Sequence, residues 1–169
     1  GKTVEFKGQK IKVLEAKEEN FAGIDIAIFS AGGDASLDLS PKAVRQGAVV
    51  VDNSSAWRMN PECPLVVPEV NPEDLDRHKG IIANPNCSTI QMMVALKPLH
   101  DYANIKRVVV STYQAVSGSG KKAFEGLKNE TRQFIEKGEI DDPQAYHYPI
   151  AFNCLPHIDV FQEGGYTKE

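Results

Sequence analysis

The sequence predicts an α/β fold built on a parallel sheet, and three observations carry that prediction. Apolar runs of strand length stand at 24–29, 48–52 and 80–83, the first apolar enough to be buried on both faces. Each run ends in a polar turn: Ser30-Ala31-Gly32-Gly33, then Asn53-Ser54-Ser55-Ala56-Trp57-Arg58, then Asn84-Pro85-Asn86-Cys87-Ser88-Thr89. Helical patterns follow the first and the third turn. Strand, Gly-rich turn, helix, strand is the order that builds a parallel sheet of the nucleotide-binding kind.

Two short alternating runs, 3–6 and 11–14, flank Lys7-Gly8-Gln9 and read as a hairpin or edge strands. Residues 15–21 are polar and fit a turn or short helix. After the strand at 24–29, a helix is predicted around 37–46, with Leu39, Ala43 and Val44 on one face and Gly47 as its stop. Strand 48–52 comes next. Leu65-Val66-Val67 reads as a short strand. Asn71-Pro72-Glu73-Asp74-Leu75 reads as a capped helical turn with Pro at its first position. The strand ending at Ala83 leads to a helix from Cys87 to about Leu99. Residues 105–116 carry the longest β signal and end in Ser117-Gly118-Ser119-Gly120. A helix is predicted over 121–137, with Phe124, Leu127, Thr131, Phe134 and Ile135 as its apolar stripe. A Pro- and Asp-containing loop spans 141–149, and 150–155 is read as a further strand.

The 169 residues are 41% hydrophobic and 25% charged, ordinary globular values that allow one core and parts of a second. A net charge of −4 without a dense Lys/Arg run argues against nucleic acid or an anionic membrane surface as partner. No apolar run is long enough to span a bilayer, and no signal peptide is visible. Cys63, Cys87 and Cys154 are odd in number and widely spaced, which disfavours disulfides and zinc and suits a reducing cytoplasm. The ends read as cut. Gly1-Lys2 opens just before a strand pattern without Met, and Thr167-Lys168-Glu169 stops where a helix pattern begins, so the expectation is an internal segment of something longer.

The residue with most chemical promise is Cys87, at a strand-to-helix junction. Unpaired N–H groups and the dipole at a helix start favour an anion there, and the same N–H groups suit an oxyanion. Asn86 fits the N-cap, with Ser88 and Thr89 in the first turn. From the residues alone, a reactive thiol and a small buried core cysteine stand level. Gly32-Gly33 is either a tight turn or a cofactor contact. Arg58 is either a solvated surface arginine or an anion ligand, Gln114 either a strand-rim residue or a site residue, and Ser117-Gly118-Ser119-Gly120 either a helix entry or a binding turn. Cys63 and Cys154 read as structural, and His78, His100, His147 and His157 as surface or core residues. No metal site is predicted.

Taken together, Ser30-Ala31-Gly32-Gly33, Val50 to Met59, Val67-Pro68-Glu69-Val70-Asn71, Asn84 to Thr89, Thr112 to Gly118 and Phe152 to Asp159 resemble the aspartate-semialdehyde dehydrogenase family, in order and over nearly the whole chain. The resemblance implies a Rossmann-type sheet, the second part of a dinucleotide-binding domain over 1–86. The start of an α+β catalytic and dimerisation domain follows over 87–169, as in glyceraldehyde-3-phosphate dehydrogenase-like enzymes. It implies reduction of L-aspartyl 4-phosphate to L-aspartate 4-semialdehyde with NADPH and release of phosphate, a step towards lysine (through diaminopimelate), threonine, methionine and isoleucine. Homodimers or homotetramers and a cytoplasmic location are implied as well. By the same resemblance Cys87 is the nucleophile that forms an acyl-thioester, and Gln114 orients the acyl group. Arg58 holds the phosphate, Asn86 lies near the phosphate or nicotinamide, and Glu169 meets the substrate's amino group. Ala31, Gly32, Gly33 and Asn53, with Ser117 and Gly118, contact the cofactor. The family's Gly-rich fingerprint belongs before Gly1 and its catalytic His and carboxylate-binding Arg after Glu169, so residues 1–169 alone are expected to be inactive. The rival readings are another acyl-phosphate reductase, acting on N-acetyl-glutamyl phosphate or glyceraldehyde 3-phosphate, and a non-catalytic nucleotide-binding or assembly module.

Overall fold

The computed structural model describes residues 1–167, in two compact units that divide between Val109 and Val110. In the first unit, β1 (Thr3–Phe6) and β2 (Gln9–Lys12) form an antiparallel hairpin, with Phe6 opposite Gln9. Lys7 and Gly8 both have positive φ, as the tightest hairpin turns require. A 3₁₀ turn at Glu18–Phe21 leads to β3 (Ile26–Phe29). Then come α1 (Gly33–Arg45), β4 (Val49–Asp52), a 3₁₀ segment at Pro72–Arg77, β5 (Ile81–Ala83) and α2 (Cys87–Ala103).

β3, β4 and β5 form a parallel sheet in that order, Ile26 beside Val49 and Val50 beside Ile81. The α/β expectation therefore holds in topology and in chain order. α1 ends in a Schellman motif, as Gly47 predicts: Gly47 takes φ 97°, its N–H meets Val44 O, and Ala48 N–H meets Ala43 O. Phe29, Ala43, Ala48, Val50, Cys63 and Ile81 make the core between α1 and the sheet, with Leu39, Val44 and Trp57 packed on its rim.

β3 departs from its expected burial on both faces. Ala27 and Phe29 turn to the core, while Ile26 is 65% and Ile28 75% exposed, because α1 covers only one side of the sheet. Leu65 makes an isolated parallel bridge to Ala83 rather than a strand. Asn71 does not cap the helical turn that follows it. Its side chain accepts from Val67 N–H and donates to Leu65 O and Asp74 instead. α2 runs four residues further than predicted, to Ala103, and stops at Asn104 in the left-handed region. None of its residues is fully buried.

Gly80 fixes the approach of β5 to α1. Its φ is +100°, and a Cβ built there stands 2.5 Å from Val44 Cγ1, a β-branched side chain stiff at χ1. Gly80→Ala is therefore expected to destabilise the chain by about 2 kcal/mol, combining backbone strain with overpacking. A urea denaturation midpoint within error of the parent chain would contradict this.

In the second unit, α3 (Lys121–Lys137) forms as predicted and ends on Gly138 at φ 80°. Its buried face differs from the expected stripe. Ala123, Gly126 and Glu130 are buried, while Phe124, Phe134 and Ile135 are exposed. The contact needs small residues: a Cβ on Gly126 would lie 3.2 Å from Ala145 Cβ. Glu130 is buried because its carboxylate accepts from the N–H groups of Ile150 and Ala151 at 2.8 and 3.0 Å. Beside that clamp the backbone turns at 151–152, with Asn153 N–H on Ile150 O and Phe152 at positive φ, and 150–155 is not the expected strand. The β signal at 105–116 also forms no strand among the described residues. Strands exist by pairing, and Val109 (80% exposed) and Tyr113 (91%) have no ladder beside them.

Candidate active site

Ligands of open parallel sheets bind at the carboxyl ends of the strands. In the first unit that edge is tied into one layer. Asn53 N–H donates to Phe29 O at 2.9 Å, and Asn84 N–H to Asp52 O at 2.8 Å. Asn84 Nδ2 donates to Asn53 Oδ1 at 2.6 Å, so the segments leaving β4 and β5 are joined side chain to side chain.

Cys87 is the first residue of α2 and is exposed. The Asn86 side chain accepts from Ser88 N–H at 2.9 Å and Thr89 N–H at 3.2 Å, the N-cap its residue type predicts. The first turn carries no acidic residue to offset the positive end of the helix. The buried-core reading of Cys87 is thereby removed. Cys63 shows the contrast: it is buried, and burial, then the charges of Glu62 and Asp52, push its thiol up. Cys154 is exposed, against its structural reading.

Arg58 lies on the same edge. Its Nε donates to Asn84 O at 3.0 Å and its Nη2 to Asn53 O at 3.1 Å. Both acceptors are neutral carbonyls, and among the described residues no carboxylate pairs with the guanidinium. A guanidinium has more N–H donors than these two bonds use, and its charge is left for an anion. The fold thus ties Arg58 to Asn84, three residues before Cys87 in the chain.

Ala31, Gly32 and Gly33 connect β3 to α1 and are open to solvent or nearly so. Gly32 is the N-cap of α1 at φ 93°, a conformation that side chains disfavour, and nothing lies within 4 Å of a Cβ built on Gly32 or Gly33. A groove of about 400 Å³ beside β3, between the 14–21 segment and Leu39 of α1, reaches Ser30 and Ala31. Asn53 is exposed beside them at the end of β4.

Gln114, Ser117 and Gly118 belong to the second unit. Val116–Ser119 is a 3₁₀ turn, and the Gln114 side chain is folded over it: a Cβ on Gly118 would stand 2.4 Å from Gln114 Nε2. Glycine at 118 is what admits that contact. Glu169 lies outside the described residues. Among those described, no His, Cys, Asp and Glu cluster is arranged to hold a metal ion, and no helix is long and apolar enough to cross a membrane.

Two functional-site features were not read from the sequence. Asn84 supplies the carbonyl that anchors Arg58. Asp52 is fully buried beneath the edge, hydrogen-bonded to Ser36 and Ser54. Strand alternation was the available signal for Asp52, since residue 52 shares a face with Val50.

Residues 1–78 match the family described as "Semialdehyde dehydrogenase, NAD binding domain", and residues 96–169 "Semialdehyde dehydrogenase, dimerisation domain". The chain is similar to the aspartate-semialdehyde dehydrogenase of Aquifex aeolicus, at 63% identity over all of this chain and 51% of that protein. Among solved structures it is similar to aspartate semialdehyde dehydrogenase II of Vibrio cholerae complexed with ASA. There the TM-score is 0.93 and the identity 46%, over 99% of this chain and 50% of that one. It is also similar to the enzyme of Candida albicans with NADP, at TM-score 0.53 and 32% identity, over 62% of this chain and 34% of that one. The chain spans about half the length of the curated relatives it matches.

Proposed function

The chain belongs to the aspartate-semialdehyde dehydrogenase family, and on that premise we propose that a full-length protein carrying it reduces L-aspartyl 4-phosphate to L-aspartate 4-semialdehyde through a thioester on Cys87. The observation that supports this most is the presence on one sheet edge of an exposed thiol at a capped helix start and of a guanidinium anchored by two carbonyls.

The steps follow from those groups. Cys87 Sγ, reacting as thiolate, attacks the acyl carbon of the mixed anhydride, and the carbonyl oxygen becomes an oxyanion at the positive end of α2. Collapse of that oxyanion breaks the bond from the acyl carbon to the phosphate oxygen. Arg58 holds the departing phosphate through charge-assisted bonds. A nicotinamide cofactor, when bound, supplies the hydride that turns the thioester into the aldehyde and returns the thiolate. The open backbone at Gly32 and Gly33 suits a cofactor lying close against the β3–α1 turn, with Ala31 and Asn53 beside it. The printed NAD-binding description and the NADP-bound relative support a nicotinamide dinucleotide, and NADP(H) is our reading.

The finer assignments rest on the motif match. They are Gln114 orienting the acyl group, Asn86 near phosphate or nicotinamide, Ser117 and Gly118 on the cofactor, and Glu169 on the substrate amino group. So do a functional division between 86 and 87, a cytoplasmic homodimer or homotetramer, a place in lysine, threonine, methionine and isoleucine formation, and inactivity of residues 1–169 by themselves.

The test withholds the cofactor. A full-length protein mixed with L-aspartyl 4-phosphate is expected to release about one equivalent of phosphate per protomer in a burst and to carry an aspartyl adduct on the Cys87 peptide. An adduct on another residue, or a burst unchanged in Cys87→Ser, would overturn the reading. A larger burst with N-acetyl-glutamyl phosphate would move the substrate to that class.

A further inference from the structure

Building on the assignment of Arg58 to phosphate, we propose that Asp52 is a positioning residue for it: Asp52 clamps the 53–58 loop at both ends and so fixes where the guanidinium stands. Asp52 closes β4 with its backbone paired to Phe29 on one side and Ala83 on the other. Its side chain is completely buried, on the face that α1 covers. A carboxylate in that position is costly unless its oxygens are hydrogen-bonded. Among the described residues no lysine or arginine reaches it, and hydroxyls do instead.

Each oxygen serves one end of the loop. Oδ2 accepts from Ser54 Oγ at 2.6 Å, and Ser54 Oγ in turn accepts from Ala56 N–H at 3.1 Å, which closes the 54–56 turn. Oδ1 accepts from Ser36 Oγ at 2.8 Å, and Ser36 Oγ accepts from Trp57 Nε1 at 2.9 Å. An indole N–H and a backbone N–H can only donate. Both serine oxygens are therefore acceptors in those bonds and keep their own protons for Asp52. Ser40 Oγ, 3.0 Å from Ser36 Oγ, completes the set. The loop is thus held where it leaves the sheet and again at Trp57. The next residue is Arg58, whose guanidinium reaches Asn53 O and Asn84 O. An amide at position 52 accepts on one side only and on the other must donate to a serine oxygen that already accepts from an N–H, so Asp52→Asn weakens one end while nearly preserving volume.

The experiment is a double-mutant cycle in a full-length protein. Asp52→Asn is expected to raise both KM for L-aspartyl 4-phosphate and the inhibition constant of inorganic phosphate roughly three- to tenfold, with kcat within about twofold. In an Arg58→Ala background the same substitution is expected to change neither constant. A purely structural role for Asp52 would change thermal stability in both backgrounds and leave the phosphate constant of Asp52→Asn at the parent value. That outcome overturns the proposal, as does an Asp52→Asn effect that persists without Arg58. If Arg58→Ala by itself leaves phosphate inhibition unchanged, the phosphate assignment of Arg58 falls, and the proposal with it. Should Asp52→Asn not fold, Trp57→Phe keeps an aromatic ring against the core and removes the indole N–H together with the volume of one fused ring. It is expected to shift the same two constants roughly two- to threefold, again only where Arg58 is present.

Discussion

Cys87→Ser in a full-length protein is expected to lower kcat for reduction of L-aspartyl 4-phosphate by about 10³-fold or more, with stability changed by no more than about 0.5 kcal/mol. The two halves of that expectation come from one placement. The side chain is exposed at the first position of α2, so exchanging sulfur for oxygen leaves no cavity and strands no buried donor. The helix start stays intact, because its cap is the Asn86 carbonyl oxygen and not the thiol. What changes is the nucleophile. A serine hydroxyl is far from ionised at neutral pH and needs an adjacent general base, whereas a thiol is already partly ionised there. Cys154→Ser is the control: it is also an exposed cysteine, without a helix start at its position, and is expected to keep the parent rate. Initial rates followed by nicotinamide absorbance decide the matter. A Cys87→Ser protein within tenfold of the parent removes Cys87 from the chemistry.

What could be read in the sequence follows from what burial does to a chain. The β3–α1–β4 unit was legible because its strands are apolar runs punctuated by Gly and Asn, and because Gly47 is the residue a helix of that length needs to stop. Asn86 was legible because capping is a local property of residue type. The rest depended on partners that no local pattern names. The run at 105–116 has the composition of a strand, yet pairing is what makes one. The large apolar side chains of α3 do not mark its buried face, because Ala123, Gly126 and Glu130 are the residues that permit close approach and a clamp on the 150–151 backbone. A charged residue at the end of a strand reads as solvated, and so Asp52 passed unnoticed. Arg58 fitted a surface role as well as a site role until the carbonyls of Asn53 and Asn84 were in place beneath it.

Arg58→Ala is expected to weaken both L-aspartyl 4-phosphate and inorganic phosphate by about 1.5–3 kcal/mol, the range for hydrogen bonds to charged groups, or roughly ten- to hundredfold in KM and in the inhibition constant. The size follows from the anchoring. A guanidinium held by carboxylates would have its charge matched before any ligand arrived. Here the holding groups are neutral, so the charge stays available while the side chain loses the rotamer freedom that ligand binding would otherwise have to remove. Stability should fall by no more than about 1 kcal/mol, because the two carbonyls sit at an edge that water reaches. Arg58→Lys separates charge from geometry. An ammonium at the end of a flexible stem cannot bond Asn84 O and Asn53 O and still present a planar fork, so it is expected to recover less than half of the lost binding energy. If lysine restored phosphate inhibition fully, charge alone would be the requirement, and the two carbonyl bonds would have no part in binding. If alanine left both constants unchanged, the phosphate would have to be held by some other group, and the first-unit edge would be a site for the thiol without its anion.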